Sequence, residues 1–241
     1  FCKFVIFIYF MMPTNSDVNV SSGQNKKITQ VQKSLLIIYT MVHILAVLLA
    51  VFIAYIAQPG SSLFSWHPTL MTIGFGLFMF EAILLFSPYS SLMHSADRKT
   101  KTKYHWILQL CATVSILLGF AAILINKVQM NKAHFQTWHS IIGLVATVFV
   151  SFQALAGFSL IYNIKFLNPF KASLGTRKKM HALYGSIVFL FGMASIFLSL
   201  YSNFVLQSTG QLTWYLLLFL VSALSSVIVN QVSNGYLFSK K

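Results

Sequence analysis

Four of the seven histidines, His67, His105, His139 and His181, each stand at the start of a long apolar segment. A histidine in a membrane helix is costly unless something compensates it, so several in register point to a buried ligand. Two imidazoles from different helices at one depth can fill both axial positions of a haem iron. Iron held that way suits electron transfer, because no position is left open for substrate. Two such pairs, one near each membrane face, would carry electrons from one side to the other. A lone histidine near a helix end is ordinarily an interfacial polar residue, but four matched to four consecutive segments are hard to read in that way. Zinc is the next rival. It favours three or four clustered ligands and usually recruits cysteine or carboxylate, and neither accompanies these pairs.

The elements that must position these side chains are membrane helices. Of 241 residues, 57% are hydrophobic and only 8% charged, against about 25% charged in a soluble domain. The mean hydropathy is +0.74. Six stretches are long enough to span a bilayer, which takes about 20 apolar residues: 35–57, 66–86, 104–125, 137–161, 180–201 and 212–232. Gln58-Pro59-Gly60-Ser61-Ser62, Ser87-Pro88, Asn168-Pro169 and the tract from Gln207 to Gln211 break the chain between them. The expected fold is an all-α membrane protein of six transmembrane helices. Only three residues are acidic, Asp17, Glu81 and Asp97, too few for paired-carboxylate hydrolysis or a carboxylate metal cage. The two cysteines, Cys2 and Cys111, form neither a CxxC nor a Cys-x-x-Cys-His, which argues against covalent haem attachment.

The net charge of +14 reflects topology rather than nucleic-acid binding, because the basic residues fall in short loops between apolar spans. Lys26, Lys27, Lys33, Arg98, Lys99, Lys101, Lys103, Lys165, Lys171, Arg177, Lys178, Lys179, Lys240 and Lys241 share one side, and only Lys127 and Lys132 take the other. The positive-inside rule therefore puts both termini in the cytoplasm. His105 and His181 then lie at the cytoplasmic face, and His67 and His139 at the opposite face. The natural pairs are His67 with His139 and His105 with His181. Gly74, Gly76, Gly119, Gly143, Gly157, Gly185 and Gly192 lie within the same spans and admit either close helix packing or a flat macrocycle.

Phe64-Ser65-Trp66-His67-Pro68-Thr69-Leu70-Met71, Lys103-Tyr104-His105-Trp106, Trp138-His139-Ser140 with Gly143, and His181 with Gly185 together resemble the cytochrome b561 family. The resemblance covers all six spans, about residues 35–236. It is closest to the short cytochrome b561 domain-containing transmembrane reductases, in Pro59 to Pro68 and in Asn230-Gln231-Val232-Ser233-Asn234. It implies that helices two to five form a four-helix bundle around two non-covalent b-type haems, with the histidine pairing given above. It further implies electron transfer from cytoplasmic ascorbate to monodehydroascorbate or ferric iron, an endomembrane location (endoplasmic reticulum or vesicle) and a homodimer. Residues 1–34 and 237–241 would be cytoplasmic tails. Native translation is expected to start at Met11 or Met12, with the apolar stretch before them a gene-model extension; a short signal peptide is the other reading.

Ascorbate is an anion at neutral pH, so its site should be cationic. Arg98, Lys99, Lys101 and Lys103 run into His105, and Arg177, Lys178 and Lys179 into His181. Both clusters are candidates for holding the donor by charge-assisted contacts, though topology alone also accounts for them. On the other face, Lys132, His134 and Phe135 precede His139 and are candidates for the acceptor site. Glu81 lies 14 residues beyond His67, about 21 Å along a helix and within ~40° of the His67 face on an α-helical wheel. It is a propionate neighbour, a proton relay or, most simply, an interfacial carboxylate. His43 lies in the first span and is not expected to be a ligand; His94 is expected in a solvated loop. The residues alone leave open a haem-free, histidine-dependent metal or proton transporter, and a membrane scaffold without redox activity.

Overall fold

Side-chain caps decide where most of the helices begin. Ser62 and Thr137 each form a capping box, with Ser65 and Ser140 respectively, while Asp97, Ser173 and Ser202 each accept from a backbone N–H three residues on. Each satisfies one of the donors a helix start leaves unpaired. In this computed structural model, residues 30–87, 91–93, 95–162, 164 and 172–233 are described. Among them every regular element is helical: α1 (Gln30–Ala57), α2 (Leu63–Leu84), α3 (Arg98–Gln129), α4 (Trp138–Ile161), α5 (Leu174–Ser199), the short α6 (Asn203–Ser208) and α7 (Gln211–Val232). All but α6 are long and apolar enough to cross a membrane.

Two boundaries correct the sequence reading. Helices α3 and α5 start at Arg98 and Leu174, not at 104 and 180. The basic clusters are therefore helical turns and not loop residues. Hydropathy cannot register a polar turn that continues a helix beyond the bilayer, whereas Lys and Arg are good helix formers. With 32 residues, α3 measures about 48 Å at 1.5 Å per residue, well beyond a ~30 Å hydrocarbon core. Hydrogen bonds from Thr100, side chain first, hold the Asp97 carboxyl below its usual range, so the cap stays charged at neutral pH.

Helices α2 to α5 close a ring, with α2 against α3, α3 against α4, α4 against α5 and α5 back against α2. Outside it, α1 packs on α2 and α7, and α7 packs on α5 and the end of α2. The buried stripes follow helical spacing: Val42, Ala46, Leu49 and Ile53 on α1, and Leu217, Val221, Leu224 and Ile228 on α7. They meet Met79, Phe80, Phe189 and Met193, with the Phe80 and Phe189 rings 6.2 Å apart. Leu48, Val51, Leu118, Phe152, Leu155 and Leu216 face outward, as lipid permits. Between helices in lipid, close packing replaces hydrophobic burial as the cohesive term.

Helix α2 is not uniform. Leu63–Met71 and Phe80–Leu84 are α-helical, but Thr72–Met79 between them is π-helical. A π turn closes its hydrogen bond one residue later than an α turn. Residues beyond it therefore lag the α-helical wheel.

Candidate functional site

The ring brings the four histidines together in the expected pairs. His67 on α2 and His139 on α4 have ring centroids 6.1 Å apart, and His105 on α3 and His181 on α5 are 6.3 Å apart, with the ring planes at 77° in both. All four are partly buried. Among the described residues no group of three His, Cys, Asp or Glu side chains comes together, and a structural zinc would need such a group.

Each imidazole is held through Nδ1 by a neighbouring helix. His67 bonds the Gly119 carbonyl (3.0 Å), His105 the Ala82 carbonyl (2.9 Å) and His139 the Ser195 carbonyl (2.9 Å). A carbonyl oxygen only accepts, so Nδ1 carries the proton in all three, and in the neutral ring Nε2 keeps its lone pair. Ser195 also donates its hydroxyl to the His139 carbonyl at 3.1 Å. His181 is different: its Nδ1 lies 3.0 Å from the carboxamide nitrogen of Gln153, which also donates to the His181 carbonyl at 2.6 Å. A carboxamide can present either its oxygen or its nitrogen, so His181 is the one ring of the four whose tautomer the backbone does not impose.

These partners are arranged reciprocally. The carbonyl that holds His67 belongs to α3, and the one that holds His105 belongs to α2; α4 and α5 exchange partners in the same way through Gln153 and Ser195. Gly119, Gln153 and Ser195 each lie 14 residues beyond the histidine of their own helix, and Ala82 lies 15 beyond His67. Fourteen residues of α-helix rise about 21 Å, so each helix carries one imidazole at one depth and a partner for another helix's imidazole at the other. The extra residue in α2 coincides with its π segment. Several glycines make room for this. A Cβ on Gly185 would stand 2.8 Å from the Gln153 carboxamide nitrogen, and one on Gly157 would stand 3.2 Å from Cε1 of His181.

The π segment also corrects the reading of Glu81. Its depth is as expected, but its face is not. Glu81 turns away from the His67 face towards α1, where both carboxylate oxygens meet Nδ1 of His43, at 2.7 and 2.9 Å. It is the largely buried hydrogen-bond partner of His43.

At the Arg98 end, Arg98, Lys99, Lys103, Lys178 and Lys179 are exposed and Lys101 is half-buried, all on the opening turns of α3 and α5. Arg177 is engaged elsewhere: its Nη2 donates to the Ser159 carbonyl (3.1 Å) and hydroxyl (3.0 Å), tying α5 to the end of α4. At the opposite end, Lys132 and Phe135 are exposed and His134 is half-buried, with the His134 and Phe135 rings 5.8 Å apart. Phe135 has φ +53°, a left-handed backbone that is uncommon for a bulky residue. Sequence reasoning overlooked Lys127 as a site residue; its ammonium fixes this loop through the Ala133 carbonyl at 2.8 Å. His94 and the chain termini lie outside the described residues.

Residues 66–207, which include all four histidines, match the family model described as eukaryotic cytochrome b561. The chain belongs to the cytochrome b561 family. The human protein named transmembrane reductase CYB561D2 is 42% identical over 199 residues, covering 83% of this chain and 88% of that protein. The mouse protein named probable transmembrane reductase CYB561D1 is 35% identical over 201 residues (83% and 86%). The mouse transmembrane ascorbate-dependent reductase CYB561 is 29% identical over 164 residues (67% and 62%). The resemblance read from the Trp66-His67-Pro68 and Trp138-His139-Ser140 segments is thus borne out.

A cytochrome of the b561 family holds haem, and the two pairs suit that group. Imidazole nitrogens bind first-row metals at about 2 Å, so two rings facing each other across one iron have centres roughly 6 Å apart. The observed 6.1 and 6.3 Å agree. A metal-binding imidazole usually donates its other N–H to a carbonyl or carboxylate, and loss of such a partner weakens the site about 10–100-fold. Replacing Gln153 with leucine should therefore weaken haem retention at the His105–His181 pair by about that factor and spare the other pair. Haem content after dilution of the detergent-solubilised protein checks this.

Proposed function

We propose that this cytochrome b561 is a di-haem transmembrane reductase that passes single electrons from cytoplasmic ascorbate to monodehydroascorbate or ferric iron on the other side. The observation that carries the reading is the stacking of two histidine pairs, 6.1 and 6.3 Å between ring centres, at opposite ends of one four-helix ring. The basic excess at the Arg98 end supports a cytoplasmic orientation for that face. Similarity to the mouse transmembrane ascorbate-dependent reductase and the human transmembrane reductase supports the reaction class.

On this reading His105 and His181 hold one b-type haem, and His67 and His139 hold the other. Bound there, the haems supply the one-electron couple that protein side chains lack. The chain's own residues do the rest. Two imidazoles at each site would hold the haem iron and leave no place for substrate to coordinate. Gly119, Ala82, Ser195 and Gln153 keep the rings oriented, and the apolar helices exclude water between the two depths. Arg98, Lys99, Lys101, Lys103, Lys178 and Lys179 attract the ascorbate anion and raise its local concentration, an effect that salt screens. Lys127, Lys132, His134 and Phe135 face an acceptor at the far end.

The test is optical. Purified protein should show a b-type haem spectrum with two haems per chain, and ascorbate should reduce part of it at once. A protein without a Soret band, or one whose spectrum ascorbate leaves unchanged, overturns the proposal.

A further inference from the structure

His43 and Glu81 are not explained by the haem sites. They lie on α1 and α2, and α1 stands outside the four-helix ring. Their side chains are 9% and 17% exposed, with 2.7 Å between Nδ1 and Oε2. Among the described residues Glu81 is the one carboxylate within a membrane span. Two ionisable groups at that depth are expensive, and an apolar pair of similar volume is often as stable or more so. Packing therefore gives no reason for them. Their position does. Glu81 is the immediate neighbour of Ala82, whose carbonyl accepts the hydrogen bond from His105. The π segment Thr72–Met79 ends directly before Phe80 and Glu81, and its lag is what aims the carboxylate at α1.

We propose that the His43–Glu81 pair is a redox-linked proton site, taking up one proton when an electron resides at the His105–His181 site and releasing it when the electron moves on. The proposal rests on the di-haem reading. A negative charge added in a low-dielectric region raises the proton affinity of ionisable groups near it. By linkage, the protonated pair in turn favours the electron. The balance closes with the donor already named: an ene-diol monoanion that loses one electron also loses one proton. One proton from that end joins the pair, and when the electron leaves for the far site the proton returns to solvent. The pair finishes as it began.

At the level of Ala82, α3 brings His105 with Lys101, Lys103 and Tyr104 on the preceding turn, and α5 brings His181, paired with His105, and Tyr184. The titratable group of α7 is Tyr215, near its opposite end, and α7 approaches the end of α2 with the neutral Gln231, which donates to the Ile83 carbonyl at 3.0 Å. On α1 the other titratable residues are Lys33, Tyr39, one helical turn before His43, and Tyr55, two residues from the far end.

The experiment is a potentiometric titration of the full-length holoprotein from about pH 5 to 8, where histidine-linked sites titrate. One of the two haem components should show a midpoint that falls as pH rises, by at most about 59 mV per tenfold change in proton activity. It should be the component missing from His105→Ala. Glu81→Gln should flatten that slope, and His43→Gln should move the pH window in which it appears. Reduced-minus-oxidised infrared spectra should show a carboxyl change that Glu81→Gln removes. A pH-independent midpoint in the wild-type protein overturns the proposal even if neither variant folds, and so does a slope unchanged in both variants. Absence of any bis-histidine spectrum overturns the di-haem reading itself, so the two failures are distinguishable.

Discussion

Replacing His105 or His181 with alanine should halve the bound haem and abolish reduction by ascorbate, while the remaining haem stays reducible by dithionite. Each variant leaves one imidazole facing a cavity where the second stood 6.3 Å away. Loss of a mere hydrogen-bond partner weakens a metal site about 10–100-fold, and loss of a ligand costs more, so the site should empty during purification. The other pair depends on Gly119 and Ser195 for its Nδ1 bonds, and neither variant touches those groups. His67→Ala and His139→Ala should give the complementary result: ascorbate still reduces the haem that is left, but transfer to an acceptor on the far side of a vesicle stops. The comparison separates the two ends of the path in one protein. Equal loss of both haems in all four variants would mean that the sites are not independent, and the two-pair reading would fail.

The histidine register was legible because a polar ring in an apolar segment stands out and because charge asymmetry gives each segment a direction. The pairing followed from depth alone. The partners were much harder to see. Gly119, Ala82 and Ser195 act through backbone carbonyls, which every residue possesses, so side-chain identity announces nothing. Gln153 was discoverable in principle, as a carboxamide in the apolar stretch from Val148 to Phe158, since polar groups in membrane helices seldom lack a bonding role. The meeting of His43 with Glu81 was not legible at all. A helical wheel assumes one angular step throughout, and Thr72–Met79 departs from it. The starts of α3 and α5 were misjudged for a related reason: hydropathy reports where lipid ends, whereas Asp97 and Ser173 decide where the helix begins.

Gly192→Val should destroy both haem sites together, and Gly192→Ala should weaken both. A Cβ at this position of α5 would run into Cδ1 of Phe75 on α2 and lie 2.5 and 2.6 Å from its Cε1 and Cγ. Phe75 is 3% exposed, and Cγ is the root of its ring, so a small rotation cannot clear the clash. Alanine would gain about 1 kcal/mol of helix propensity over glycine. Overpacking of a well-filled interior costs about 1–3 kcal/mol and sometimes more, so the steric term wins and the helices part. The consequence reaches both depths because α5 carries His181 for one pair and Ser195, the partner of His139, for the other. A chain of this size loses roughly 2–4 °C of Tm per kcal/mol, so Gly192→Ala should unfold several degrees below wild type with both haem signals lost in parallel. Phe75→Leu combined with Gly192→Ala should recover part of that loss, because the shorter side chain vacates the space the new methyl needs. If Gly192→Ala proves neutral, or removes one haem only, the α2–α5 contact is not the element that holds the two sites in common.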